Sequence, residues 1–427
     1  MAAALNRPPR LLLLIPHVGL GGAQRVFRDH SVALAERYSV EEAIFNDDHL
    51  VVYESGNVLH NLEVTGGRGT LAKLLNFAKR IARLAKLKSA GQFDICISHL
   101  EGADYVNLMA PTRARTILCV HGSKAHDPSM TGVSGFLRRR ILIPRLYNRA
   151  DRIVTVSRDI KPELVAMGVE AKRIHVINNY FDVVGIAASA GESLSDLEQA
   201  LFAQRPVLLT SGRLAPQKNQ AALIDIFADL RDRRPATLMI LGDGELRDAL
   251  IAQARGRGLI VQHAWSGEPF TIGADVYFLG MQPNPFKYLS HADLFLFPSE
   301  WEGFPLALCE SMICGVPALT TDCRTGPREI LAPATTREIP PIDREEKGEF
   351  GLLMPILHQA TTVDAAKAVW VETISRLLDS PSERVELTRL GKRRMEDFTR
   401  ERIAPLWFAL IDQLLDEVCS FEARLGG

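Results

Sequence analysis

Short apolar runs punctuate this chain at spacings that leave room for a helix between them. In the first half they lie at 11–15, 95–98, 116–120, 153–156 and 174–177. Runs that are apolar at nearly every position, rather than at alternate ones, mark strands buried on both faces. Their alternation with helical segments predicts parallel sheets covered by helices. Residues 187–204, rich in Ala, Ser, Gly and Glu, lack strand character and read as a short helix and linker. A second series follows at 207–210, 237–241, 276–279, 294–297 and 318–321. The predicted fold class is α/β, with two doubly wound halves facing a cleft. The expected divisions are 1–186, the linker 187–204, a second domain over 205–395, and a helical segment over 396–427 that packs back toward the first domain. The stretch 384–425 reads as helical, with Leu406, Trp407, Phe408, Ala409 and Leu410 as its docking face; 263–274 reads as a polar surface loop.

Composition narrows the picture. The 427 residues suffice for two or three domains, and 47% apolar with 24% charged residues is ordinary for a globular protein. A formal charge of -1 supplies no global field for nucleic acid, and none is expected as a partner. The six cysteines (96, 119, 309, 314, 323 and 419) show no metal-ligand spacing and read as reduced thiols of a cytosolic protein. No run approaches the roughly 18 apolar residues of a membrane span. Arg7 and Arg10 precede an apolar core, Leu11 to Ile15, too short for a signal peptide, so it reads as the first strand.

The chemistry collects where strands end. After 294–297 come Glu302, Gly303, Phe304, Pro305 and Leu306, then Glu310 inside a helix read at 305–314. This edge of an open parallel sheet is where ligands bind, and the helix start at 303–306 offers backbone N–H groups to an anion. Carboxylates suited to hydroxyl groups, beside N–H groups suited to phosphate, fit a nucleotide-sugar. After 207–210 come Gly212, Arg213 and Lys218; a guanidinium fork and an ammonium five residues apart can address one diphosphate, or can be two solvated loop cations. The first strand leads into Gly19, Gly21, Gly22 and Gln24. Gln24 replaces the third glycine of a dinucleotide fingerprint, which leaves a phosphate-approaching loop or a plain tight turn. Gly242, Asp243 and Gly244 close another strand; Asp243 reads as a turn residue or helix cap. His121 sits at a strand's carboxyl edge.

Two segments are basic without acids. Over 68–92, Lys73, Lys79, Arg80, Arg83 and Lys86 punctuate a stripe of Leu71, Leu74, Leu75, Ala78 and Ile81; over 136–149 lie Arg138, Arg139, Arg140, Arg145 and Arg149. They read either as core-packed helices with a solvated cationic face or as a surface for anionic lipid headgroups or a lipid-linked diphosphate acceptor.

Together these residues resemble the retaining GT-B glycosyltransferases of family 4. The likeness rests on Glu302 and Glu310 within Glu-Gly-Phe-Pro-Leu, on Gly212, Arg213, Leu214, Lys218 and Asn219, and on Gly21, Gly22, Ala23 and Arg25. Gln24 occupies that loop's usual acidic position. The run Thr321 to Leu331 is similar to members using UDP-hexoses or UDP-N-acetylhexosamines in polysaccharide or lipid-linked oligosaccharide assembly. The resemblance implies two Rossmann-like domains, the first for the acceptor and the second for the donor. It implies that Arg213 and Lys218 hold the donor diphosphate and stabilise the leaving group. Backbone groups near Gly22 and at Gly303 to Leu306 add to that. Glu310 would take the ribose hydroxyls, Glu302 the transferred sugar, and His121 would lie beside sugar and acceptor. Neither metal nor other cofactor is implied. The expected partners are a nucleotide-sugar donor and a lipid-linked or saccharide acceptor, at a cytoplasmic location peripheral to the inner face of the cell membrane. A GDP-mannose-type mannosyltransferase, a non-catalytic nucleotide-sugar binder and an NAD-dependent oxidoreductase are the competing readings.

Overall fold

The computed structural model describes residues 7–46, 53–67, 69–125, 130–203, 206–336, 341–357 and 363–425, with side chains to residue 417. It divides into two compact units, Met1–Asn179 with Glu401–Gly427, and Tyr180–Arg400. The residues read as linker form two helices of the second unit, Val183–Ala190 and Asp196–Ala203.

The first unit holds seven strands: β1 (Arg10–Ile15), β2 (Ser39–Ile44), β3 (Val58–Asn61), β4 (Ile95–His99), β5 (Arg115–Val120), β6 (Arg152–Thr155) and β7 (Ile174–Val176). They form one parallel sheet in the order β3-β2-β1-β4-β5-β6-β7. The chain winds outward in both directions from β1 and β4, so the crevice at their carboxyl ends is the switch point of a doubly wound sheet. β2 and β3 escape a hydrophobicity reading. β2 carries Glu41 and Glu42, with Glu41 paired to Arg10 and to His60, and β3 is an exposed edge.

The second unit holds β8 (Val207–Ser211), β9 (Thr237–Leu241), β10 (Val261–His263), β11 (Val276–Gly280), β12 (Leu294–Phe297), β13 (Ala318–Thr321), β14 (Glu346–Lys347) and β15 (Leu352–Met354). Their order is β10-β11-β9-β8-β12-β13-β15-β14, parallel except at the β14–β15 edge. Here the switch point falls between β8 and β12. The polar stretch 263–274 begins with the end of β10 and a single 3-10 turn, Ala264–Ser266. The core packs Leu208, Ile240, Phe278, Leu294 and Leu296 of the sheet against Leu223, Phe227, Trp370 and Ile374 of the helices.

The final helix, Arg400–Leu425, returns to the first unit. Of its expected docking face, Trp407 and Leu410 are buried while Leu406 is exposed, as the helical period requires. Trp407 packs on His30 at 4.6 Å between ring centroids, and Tyr38 Oη donates to Asp412 Oδ1 at 2.8 Å.

Candidate active site

Two loops meet at the switch point of the second unit. The first leaves β8 at Ser211 and runs through Gly212, Arg213 and Lys218 to Asn219. Asn219 holds a left-handed φ of 49°, and its side chain accepts from Ala222 N–H to start the helix Gln220–Arg231. The second leaves β12 and carries Glu302. Glu300 N–H donates to Gln217 O, and Gln217 Nε2 donates to Trp301 O at 2.7 Å. This stitching sets Lys218 Nζ 2.6 Å from Glu302 Oε1, over the Phe297 ring. Glu302 is buried and its side chain is 6% exposed against 20% for Lys218, so the charges are held largely out of water.

The Glu302 loop is braced from behind. Glu302 N–H donates to Arg324 O, and Thr325 Oγ1 donates to Glu302 O. Thr325 has φ 63°, and a Cβ on Gly326 would stand 2.5 Å from Pro305 Cδ. The helix that follows is Leu306–Cys314, with Pro305 as its N-cap. One expectation is corrected here. Proline has no N–H, so the donors at this helix start are Gly303, Phe304 and Leu306, and Pro305 sets only the backbone angle. Glu310 lies in the next turn and is buried.

Arg213 does not join Lys218. Its side chain is 72% exposed, and its Nε donates to Glu245 Oε2 at 3.0 Å. Backbone contacts nevertheless fix its loop against the next one: Leu214 N–H donates to Asp243 O, and Leu246 N–H to Leu214 O. The approach is so close that a Cβ on Gly242 would lie 2.0 Å from Gly212 O. Asp243 is a turn residue, accepting from Gly244 N–H at 2.7 Å, and is not the cap of Arg247–Gly256, whose N-cap is Leu246.

In the first unit Gly21 precedes the helix Gly22–Leu34. A Cβ on Gly21 would strike Gln24 Oε1 at 2.2 Å, because the buried Gln24 side chain folds back and its Nε2 lies 3.3 Å from His17 Nε2. That position therefore braces the loop through its amide. His121 is partly buried, and its Nε2 lies 2.9 Å from His99 Nδ1. Burial, then the Lys124 ammonium, pulls its pKa down to about 3, so the ring is neutral. Sequence reasoning missed His99, and also Glu101, whose carboxylate accepts from Lys124 Nζ, Tyr105 Oη and Arg138. His99 is the last residue of β4 and Glu101 opens the helix that follows, at a strand end that the apolar pattern had placed one residue earlier, at 98.

The basic helix is Thr70–Gly91, and its stripe divides. Ile81 packs on the core with Phe77 and Leu84, whereas Leu71, Leu74 and Leu75 are more than half exposed. Its cations divide too. Arg80 Nη2 donates to Val64 O and Thr65 O at 3.1 Å, and Arg83 Nη1 to Glu63 O at 3.0 Å, so these two tie down the preceding segment. Lys73, Lys79 and Lys86 are exposed. In the second basic segment Arg138 is likewise bound to Glu101.

Among the described residues, five cysteines are free thiols, four of them buried; Cys419 lies outside the described side chains. His30, His99 and Cys119 bring potential metal ligands within 4.8 Å of one another. Burial pushes the Cys119 thiol well above its ordinary pKa, which opposes the thiolate a soft metal needs.

Two parallel, doubly wound units, each with its polar loops at the strands' carboxyl ends, have the GT-B architecture. The sequence model described as Glycosyl transferases group 1 matches residues 196–343, and that described as Glycosyltransferase Family 4 matches residues 20–184. The chain belongs to the group 1 GT-B glycosyltransferases. It is 32% identical over 275 residues to an uncharacterized glycosyltransferase of Methanocaldococcus jannaschii, covering 62% of this chain and 64%, just under two thirds, of that one. It is 26% identical over 400 residues to the N-acetylgalactosamine-N,N'-diacetylbacillosaminyl-diphospho-undecaprenol 4-alpha-N-acetylgalactosaminyltransferase of Campylobacter jejuni, covering 92% of this chain and 97% of that enzyme. Anabaena HepE, solved with UDP and glucose, shares the fold at a TM-score of 0.71 and 19% identity, covering 95% of this chain and 100% of that one.

Proposed function

We propose that this glycosyltransferase moves a hexose or N-acetylhexosamine from a UDP-sugar to a lipid-linked or polysaccharide acceptor, with anomeric retention and without a metal ion. The observation that carries the reading is the Lys218–Glu302 pair at the switch point of the second unit, beside the N–H groups of Gly303, Phe304 and Leu306. Lys218 faces the charge that grows on the departing diphosphate, and Arg213 joins it once its guanidinium turns from Glu245, together taking the role a metal plays elsewhere. With Oε1 committed to Lys218, Glu302 offers Oε2 to a hydroxyl of the transferred sugar, and Glu310 takes the ribose. The bond from the anomeric carbon to the diphosphate oxygen breaks. The acceptor oxygen bonds to that carbon on the same face, and its proton passes to the diphosphate. No carboxylate is needed as a covalent nucleophile, in contrast to retaining hydrolases.

UDP is favoured over other nucleotides because HepE was solved with UDP, and a lipid-linked acceptor because the Campylobacter enzyme is named for one. No helix among the described residues is long and apolar enough to cross a membrane. The exposed Leu71, Leu74 and Leu75 beside Lys73, Lys79 and Lys86 support peripheral binding to anionic headgroups, and with it a place on the inner face of the cell membrane.

The test is a screen of UDP- and GDP-sugars against lipid diphosphate acceptors, read by mass spectrometry and, for the product anomer, by NMR. Arg213→Ala and Glu310→Ala should each weaken UDP binding in calorimetry. Unchanged affinity in both removes the site assignment, and undiminished turnover in the presence of chelator is required for the metal-free route.

A further inference from the structure

His99 ends β4, and the register pairs it with Cys119 on β5, so both side chains stand on the same face of the sheet as His121 two residues on. The turn is tightly drawn. Leu100, a non-glycine residue, holds φ 73°, and its carbonyl accepts from both Ala103 and Asp104 as the chain passes straight into the helix Glu101–Met109. His99 is fully buried beneath His121. Its Nδ1 makes the contact with His121 Nε2, and the rings stack at 5.0 Å. Its other nitrogen, Nε2, is buried without a hydrogen-bond partner.

One of the two rings must donate. If His121 donated through Nε2, the proton of His99 would sit on Nε2, an orphaned N–H in a dry site. Buried N–H groups without a partner are rarer than unfilled acceptors. If His99 donates through Nδ1, its Nε2 is only a lone pair, beside the protonated thiol of Cys119. The second arrangement is the one this packing favours. Burial first, and then His121 and His30, hold the His99 pKa well below its ordinary value, so neither ring escapes the choice by becoming charged.

We infer that His99 is a positioning residue that donates from Nδ1 to His121 Nε2, fixes His121 as the Nδ1–H tautomer, and so makes His121 a hydrogen-bond donor to the sugar or acceptor and not a base. The inference rests on the proposed transfer for its second half only. A His121 that donates leaves the acceptor's proton to the departing diphosphate, in keeping with attack on the face of departure.

The tautomer is measured on the full chain without substrate, by long-range proton–nitrogen correlation with histidine labelled in the rings and His121 assigned through His121→Gln. The result expected is a pyrrole-type Nδ1 and a pyridine-type Nε2; the reverse pattern overturns the inference whether or not transfer is ever observed. Two variants then separate positioning from packing. His99→Asn places an amide N–H where Nδ1 stood, and should keep the His121 tautomer and turnover within about threefold of the parent. His99→Leu keeps bulk but no donor, and should lower kcat at least tenfold with UDP affinity within twofold. Equal kcat in His99→Leu and the parent overturns the positioning role. Failure of the parent to transfer any sugar sinks the proposed function, while the nitrogen spectrum still decides the tautomer.

Discussion

Lys218 Nζ and Glu302 Oε1 stand 2.6 Å apart across 84 residues of sequence, held there by loops that leave neighbouring strands of one sheet. The pair is a unit. Lys218→Met keeps the stem over Phe297 but leaves the Glu302 carboxylate buried without its cation, and should cost about 1–3 kcal/mol of stability. It should also lower kcat roughly 100-fold, the scale of losing one oxyanion donor. Glu302→Gln can still accept from Lys218 and should unfold less readily than Lys218→Met. A double-mutant cycle by urea titration checks the coupling. Additivity within about 0.5 kcal/mol would mean that the two side chains are neighbours without interaction.

Gly242→Ala tests the loop-to-loop approach. A Cβ there would lie 2.0 Å from Gly212 O on a backbone with φ 126°, so the Gly212 loop must move. UDP binding should weaken at least tenfold in calorimetry. Gly256→Ala is the control, since nothing lies within 4 Å of its Cβ position inside the helix Arg247–Gly256. There the change should be neutral or stabilising by about 0.5–1 kcal/mol. Equal UDP affinity in both variants would refute the packing argument.

Asp104 gives a pH signature. Burial raises its pKa to about 7, although Ser98 Oγ and Tyr147 Oη donate to it at 2.7 and 2.9 Å. The unfolded side chain titrates near 3.9. Between these values the unfolded chain has lost a proton that the fold keeps, so this group's contribution falls as pH rises from about 4 to about 7, by about 1.4 kcal/mol per unit. His30 and His121, lowered by burial to about 3, act in the opposite sense, with stability lost as pH falls below about 6.5. The difference between the parent and Asp104→Asn in urea midpoint across this window isolates Asp104. A difference that does not change with pH would place the folded pKa near its ordinary value.

The exposed end of the basic helix predicts lipid behaviour that the donor site does not share. Replacing Lys73, Lys79 and Lys86 with Gln should remove about 3 kcal/mol of attraction to anionic vesicles, roughly a hundredfold in partition. Leu71→Ser with Leu74→Ser should weaken sedimentation with the same vesicles, and neither set should alter UDP affinity. Unchanged sedimentation in both sets would make this helix a solvated face only.

The strands that carry the site were legible in the sequence because each is apolar along its length. Continuous burial on both faces leaves that mark whatever the neighbours are. β2 and β3 were not legible, since Glu41 of β2 is satisfied by Arg10 and His60 from adjacent strands and β3 lies at an edge. Glu302, Glu310 and Lys218 could be nominated from residue type at a strand's end. The fate of each cation could not, because ion pairing depends on which loops the sheet order makes neighbours. Arg213 and Lys218, five residues apart, take the unrelated partners Glu245 and Glu302. Arg80 and Arg83, read as part of a solvated face, instead cap carbonyls of the segment before their helix.

The sequence by itself determined the alternation of strand and helix, the edge at which chemistry collects and the residue types gathered there. These follow from local hydrophobic pattern and from loops placed after apolar runs. Tertiary structure alone decided that Thr325 braces Glu302, that Lys218 and not Arg213 pairs with Glu302, and that His99 lies under His121. Those relations are contacts between segments far apart in the chain, and the order in which strands pair is set by packing of whole elements, which no local pattern encodes.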